Sequence, residues 1–209
     1  MSKLIIAIDG PAGSGKSTVA RAVAAALGWS FLDTGAMYRS ICVEAARQNV
    51  SIRDEEAISA VASSSLIRVG SRVLINGVDV TEEIRTDQVN HDVSLVATYP
   101  SVRSAMVDRQ REFADDSTVG TVVEGRDITT VVFPNATLKI FLTASIEERG
   151  RRRGAEGIKS IQRRDDIDQS RETSPLRCPV DARLIDTTGR SVEEIVREVV
   201  SCLESSPLT

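Results

Sequence analysis

The stretch Leu4-Ile5-Ile6-Ala7-Ile8-Asp9-Gly10-Pro11-Ala12-Gly13-Ser14-Gly15-Lys16-Ser17-Thr18 limits what this chain can fold into more than any other. Its isoleucine-rich start reads as a buried strand over Lys3–Asp9, closed by a glycine turn. Lys16–Gly28 follows with Val19, Val23, Ala26 and Leu27 on one face, the pattern of a helix that Gly28 stops. Between strand and helix, Gly10-x-x-x-x-Gly15-Lys16-Ser17 satisfies G-x-x-x-x-G-K-[ST] in full. Glycines let backbone N–H groups turn inward around an anion with no side chain in the way. The helix start adds free N–H groups and the positive end of its dipole. Gly10, Pro11, Ala12, Gly13, Ser14, Gly15, Lys16, Ser17 and Thr18 are therefore expected to hold the phosphates of a nucleoside triphosphate. In that arrangement Lys16 reaches the β- and γ-phosphates and Ser17 ligates Mg2+.

The rest of the chain extends this beginning into an α/β sheet. Ser30–Asp33 reads as a second strand and Ala36–Gln48 as a second helix, so a parallel pair opens the fold. Gly120–Glu124, Leu138–Thr143 and Ala182–Asp186 are three more apolar strands, and Pro100–Ala114 is a helix. Ser191-Val192-Glu193-Glu194 is a capping box that opens a last helix to about Leu203. Asn76-Gly77 between alternating apolar residues signals a hairpin, which is foreign to a parallel sheet. Residues 50–99 or so therefore read as an insert. The expectation is a P-loop NTPase fold: a five-stranded parallel sheet flanked by helices, forming one domain over residues 1–209.

Charge narrows the partners. The chain totals −4, yet residues 149–164 carry seven Lys/Arg against the single acid Glu156, which leaves −10 elsewhere. An acidic chain with 3% aromatic residues is not built as a nucleic-acid binder or a base-stacking platform. No stretch approaches the length of a membrane helix. Cys42, Cys178 and Cys202 are widely spaced, with no metal or disulfide framework, which predicts a reduced, cytoplasmic compartment.

Three classes can use a bound nucleoside triphosphate: a switch GTPase, a motor and a small-molecule kinase. The chain lacks Asn-Lys-x-Asp for guanine, and no apolar strand ends in Asp-Glu. Its strands instead run into arginine and carboxylate, Asp33-Thr34-Gly35-Ala36-Met37-Tyr38-Arg39 and Glu124-Gly125-Arg126-Asp127. Ligands of open α/β sheets sit at the carboxyl ends of strands, and arginine forks suit a second phosphate. A non-catalytic nucleotide-binding switch has no use for a second phosphate site.

These residues, with Gly77-Val78-Asp79-Val80-Thr81-Glu82-Glu83-Ile84-Arg85-Thr86, residues 122–145, residues 163–176 and residues 186–196, carry a resemblance that spans nearly the whole chain. The sequence resembles the bacterial cytidylate kinases, a branch of the nucleoside monophosphate kinases. The resemblance implies transfer of the γ-phosphoryl of ATP to CMP and to dCMP with Mg2+, and Asp33 and Glu124 as holders of metal-bound water; a monomer is expected, because the lid and insert must both move. Lys16, Arg39, Arg126 and Arg164 are then the catalytic residues. Thr34, Arg39 and Arg126 hold the acceptor phosphate, while Ser94, Arg103 and Asp127 read the cytosine edge. Arg164, Asp168 and Arg171 surround the acceptor ribose and phosphates. Arg85 lies in the insert, which becomes the NMP-binding segment. The basic window 149–164 becomes a short lid, with Arg149 and Arg153 on ATP. Two departures stand out: the lid is short, and Thr129 replaces the usual Gly. An acceptor such as UMP, AMP or shikimate is the alternative on the same fold. His91 reads as a polar helix residue, and Cys42 and Cys202 as core.

Overall fold

Residues 3–154 and 157–205 are described by the structure, a computed structural model. Strand β1 (Ile5–Asp9) runs into the glycine loop and helix α1 (Lys16–Leu27), and β2 (Ser30–Asp33) follows. Gly28 ends α1 in the left-handed conformation, at φ 64°, that its position requires. Then come α2 (Thr34–Arg47), α3 (Glu55–Ser64), and the short strands β3 (Ile67–Val69), β4 (Val73–Ile75) and β5 (Val78–Asp79). A 3-10 turn (Glu83–Arg85), α4 (Asp87–Val96) and α5 (Pro100–Asp116) lead back to β6 (Thr121–Glu124). A π turn (Ile128–Val132), β7 (Leu138–Thr143), α6 (Ile146–Arg153), α7 (Gly157–Ser170), β8 (Arg183–Asp186) and α8 (Val192–Glu204) complete the order.

The chain forms two compact units. The first, Met1–Leu32 with Phe113–Thr209, is built on the five-stranded sheet of order β2-β6-β1-β7-β8, with the boundary falling at the last residue of β2. The pairs β1–β6, β1–β7 and β7–β8 are parallel. Placing β1 at the centre explains why it reads as a nearly continuous apolar run. Ile6, Ile8, Ile140, Leu142 and Val122 pack with Val19 and Val23 of α1 and Ile195 and Val199 of α8. Burial of each such side chain contributes roughly 1.5–3 kcal/mol. The capping box forms as expected: Glu194 N–H donates to Ser191 Oγ at 3.2 Å, and Ser191 N–H to Glu194 Oε2 at 2.8 Å.

The second unit, Asp33–Glu112, holds α2 to α4, most of α5 and a three-stranded antiparallel sheet, β3-β4-β5. Asn76 (φ 51°) and Gly77 (φ 81°) form the turn between β4 and β5, the hairpin the Asn-Gly pair predicts. The sequence also predicts α2 from Ala36, whereas it begins at Thr34. Asp33 caps it, accepting from the Ala36 N–H at 2.9 Å, so Thr34 and Gly35 lie within its first turn.

Candidate active site

Gly10 leaves β1 at φ 153°, and a Cβ there would come within 2.1 Å of the Leu142 carbonyl oxygen. Glycine alone fits that approach, and the loop turns tightly because of it. Gly15, at φ 91°, caps α1 and has no side chain to accept the first helical N–H groups. Free N–H groups at such a helix start suit an anion.

Lys16 is buried, and its Nζ donates to the Pro11 carbonyl at 2.9 Å. Burial lowers its ammonium pKa to about 7. The charges of Arg126 and Arg153 act in the same direction, against the pull of Glu124 and Asp168. Ser17 Oγ donates to Glu124 Oε1 at 2.7 Å. Two predicted residues from distant parts of the chain therefore meet, one hydroxyl beside one carboxylate.

A second cluster in the same unit centres on Asp168 of α7, also buried. Arg126 Nε donates to its Oδ2 at 2.7 Å, and Arg171 donates to Oδ1. Burial works against the charge of Arg126, and Asp168, then Glu124 and Asp165, more than offset it, so its pKa is raised. Burial likewise opposes ionisation of Asp168, but Arg126, Arg171 and Arg164 hold its pKa below the usual carboxylate value. Arg164 is itself buried. Asp127, next to Arg126, is buried as well.

Arg149 of α6 lies on the loop. It donates to the Ala12 carbonyl at 3.1 Å and to Asp165, whose other oxygen accepts from the Ala12 N–H at 3.1 Å. Sequence reasoning did not nominate Asp165. It also passed over Arg152, which donates to Thr187 Oγ1 at 2.8 Å and Thr187 O at 2.7 Å and lies 3.4 Å from where a Gly15 Cβ would stand. Thr187 Oγ1 donates in turn toward Ser14 O at 3.0 Å. Ser14, Gly15, Thr18, Arg152, Thr187 and Arg190 share the lining of a cavity of about 240 Å3 beside the loop. The cluster Thr187-Thr188-Gly189-Arg190 after β8 was the available signal, a polar glycine turn at a strand's carboxyl end.

In the second unit, Thr34 and Asp33 are buried at the start of α2, and Arg39 Nη1 lies 3.9 Å from Asp33 Oδ1. Arg103 of α5 is buried, donates to the Ala97 carbonyl at 3.2 Å, and lies 5.8 Å from the Tyr38 ring centre. Ser94 is buried on α4, and Arg85 is in the 3-10 turn. His91 is exposed on α4. Cys42 is buried, Cys202 packs against the first unit's core, and Cys178 is exposed.

Asp9 is the most buried charged group that sequence reasoning left unused, at 0% exposure. Its carboxylate accepts from Ile128 N–H at 3.0 Å, Thr129 N–H at 2.8 Å and Thr129 Oγ1 at 2.6 Å. Burial raises its pKa to about 6 despite these bonds, with a smaller push from Asp127.

The sequence model of the family described as "Cytidylate kinase" matches residues 6–205. A cytidylate kinase of Caldanaerobacter subterraneus subsp. tengcongensis is 47% identical, over 96% of this chain and 95% of that one. One of Bacillus subtilis (strain 168) is 45% identical, over 97% of each. Among solved structures, TT1252 from Thermus thermophilus superposes with a TM-score of 0.56 at 19% identity, covering 100% of both chains. Shikimate kinase from Acinetobacter baumannii in complex with shikimate gives 0.52 at 15% identity, over 100% of this chain and 97% of that one. At those identities the structural likeness speaks to the fold alone.

Proposed function

The chain belongs to the cytidylate kinase family, and on that premise we propose that it transfers the γ-phosphoryl group of ATP to CMP, giving CDP and ADP. The observation that carries the chemistry is the convergence on the glycine loop of Lys16, the Ser17–Glu124 pair and the Arg126–Asp168–Arg171 cluster. Phosphoryl transfer asks for alignment and charge neutralisation more than for covalent help. A base or nucleophile such as His91 has no part in it.

The backbone of residues 10–18 and Lys16 hold the ATP phosphates, with Arg149 and Arg153 on the donor side. The cavity beside Ser14, Gly15 and Thr187 takes the remainder of the donor. Thr34, Arg39 and Arg126 grip the acceptor phosphate, and Ser94, Arg103 and Asp127 read its base. Arg164, Asp168 and Arg171 hold the ribose and phosphates, and dCMP serves as a second acceptor in this reading. Residues 50–99 serve the acceptor. Residues 149–164 act as a lid that keeps water, a competing acceptor, away from ATP.

Mg2+ fits the residues present. Ser17 and Glu124 offer two hard oxygen donors 2.7 Å apart, and no group of three acidic, histidine or cysteine side chains gathers among the described residues. That sparse set suits an ion that keeps most of its water and binds mainly through phosphate. Ser17 would ligate it, with Glu124 and Asp33 holding its water. When bound it supplies neutralisation of charge on the β- and γ-oxygens. The protein acts as a monomer in this reading, and its three free cysteines suit a reducing, cytoplasmic compartment. No described helix is long and apolar enough to cross a membrane.

The direct test follows ADP and CDP together in a mixture of ATP, Mg2+ and CMP. One CDP per ADP supports phosphoryl transfer, and ADP without CDP overturns it.

A further inference from the structure

We propose that Asp9, with Thr129 as its partner, is a positioning residue for the acceptor nucleotide, because it fixes Arg126-Asp127 against the strand that carries the phosphate loop. The inference rests on the roles given above to Arg126 and Asp127 and deepens them.

Asp9 is the last residue of β1 and directly precedes Gly10. Its fully buried carboxylate takes three hydrogen bonds, all from two consecutive residues, Ile128 and Thr129. Those N–H groups are the first two of the π turn, so Asp9 caps that turn from another strand. On the other side of the loop, Gly125 N–H donates to the Ile8 carbonyl at 3.0 Å. Arg126 and Asp127 are thus bracketed, tied down before by Ile8 and after by Asp9. Both ties lie on the two residues that enter the glycine loop.

An apolar residue at position 9 would fill this part of the core without the desolvation that a carboxylate suffers. The carboxylate supplies direction instead: two backbone N–H bonds and one from the Thr129 hydroxyl hold the loop in one register. The π turn reinforces the point, since such turns carry an extra residue that must be held in place. Arg126 also reaches Asp168, so a shift of the 125–129 backbone moves that pair as well.

The test uses Thr129→Val, which keeps the shape and removes the hydroxyl donor, and Thr129→Ser, which keeps the donor. Asp9→Asn is a harsher companion. Steady-state kinetics are measured against CMP at saturating ATP and against ATP at saturating CMP, with melting temperatures alongside. We expect Thr129→Val to raise KM for CMP roughly tenfold, as loss of one hydrogen bond to a charged group allows. KM for ATP stays within about twofold, and Thr129→Ser returns KM for CMP to near the parent value. An unchanged KM for CMP in Thr129→Val overturns the proposal. So does an equal rise in both KM values, or a defect that Thr129→Ser shares. A parent protein that turns over ATP with another monophosphate but not with CMP contradicts the functional reading instead, and the same KM comparison on that acceptor still decides the role of Asp9.

Discussion

Asp168 accepts from Arg126 through one carboxylate oxygen, at 2.7 Å, and from Arg171 through the other. Two largely buried guanidinium groups, Arg126 in the loop after β6 and Arg171 just past α7, therefore share one counter-charge. Replacing it by Asp168→Asn leaves two cations without that charge in a place poor in water. The expected cost is about 3 kcal/mol of stability by urea denaturation. KM for CMP rises more than KM for ATP. A variant as stable as the parent would show that the two arginines are solvated rather than held.

Lys16 has a pKa lowered to about 7 by burial and by its cationic neighbours. At pH 8 most molecules therefore carry the neutral amine before nucleotide arrives. Phosphate groups beside it favour the charged form and raise its pKa. ATP binding at pH 8 should take up close to one proton, and at pH 6 almost none. Calorimetry in buffers of different ionisation enthalpy reads this directly, and equal proton uptake at both pH values would contradict it.

Ser17 and Glu124 should act together on the metal requirement. Ser17→Ala and Glu124→Gln each raise the Mg2+ concentration for half-maximal rate, by roughly tenfold for the direct ligand and less for the group acting through water. The double variant should cost less than the sum of the two, because the hydroxyl and the carboxylate are already in contact. Full additivity in a titration of rate against Mg2+ would argue that they serve separate ends.

Asp9 gives stability a pH dependence of known sign. Its folded pKa, about 6, lies above the ordinary 3.8, so the folded chain holds the proton more tightly than the unfolded one. That contribution is present below about pH 4 and is lost as pH rises through 6, with a size on the order of 3 kcal/mol. Asp127 and Cys178 are the titratable groups that face it, and both are retained when Asp9 alone is changed. The stability of the parent minus that of Asp9→Asn should therefore shrink from pH 4.5 to pH 7. A difference that stays flat or grows over that range would mean that Asp9 is already ionised in the folded chain at pH 4.5.

How much the sequence revealed depends on how local each feature is. The glycine loop, the Gly28 stop, the Ser191 capping box and the Asn76-Gly77 turn are each written within a few residues and can be read there. β3 is three residues long, too short to show a period, and it emerges only through its pairing with β4. The sequence pattern starts α2 at Ala36, two residues past its first residue, because Asp33 reads there as a ligand-side carboxylate and its capping of the Ala36 N–H does not show. Asp9–Thr129 and Ala12–Asp165 are contacts across 120 and 153 residues, which no window of sequence displays. Thr129 stands where the resemblance leads one to expect Gly, and its hydroxyl is one of the three donors to Asp9.

The central claim concerns which acceptor the arginines and the buried polar groups select. The most direct measurement is kcat/KM for CMP, dCMP, UMP, AMP and GMP with ATP and Mg2+, read as ADP release. The account predicts the highest values for CMP and dCMP, with both purines lower by at least about a hundredfold, since a site that hydrogen-bonds a base edge rejects the wrong one strongly. A purine monophosphate that matches or exceeds CMP would contradict it.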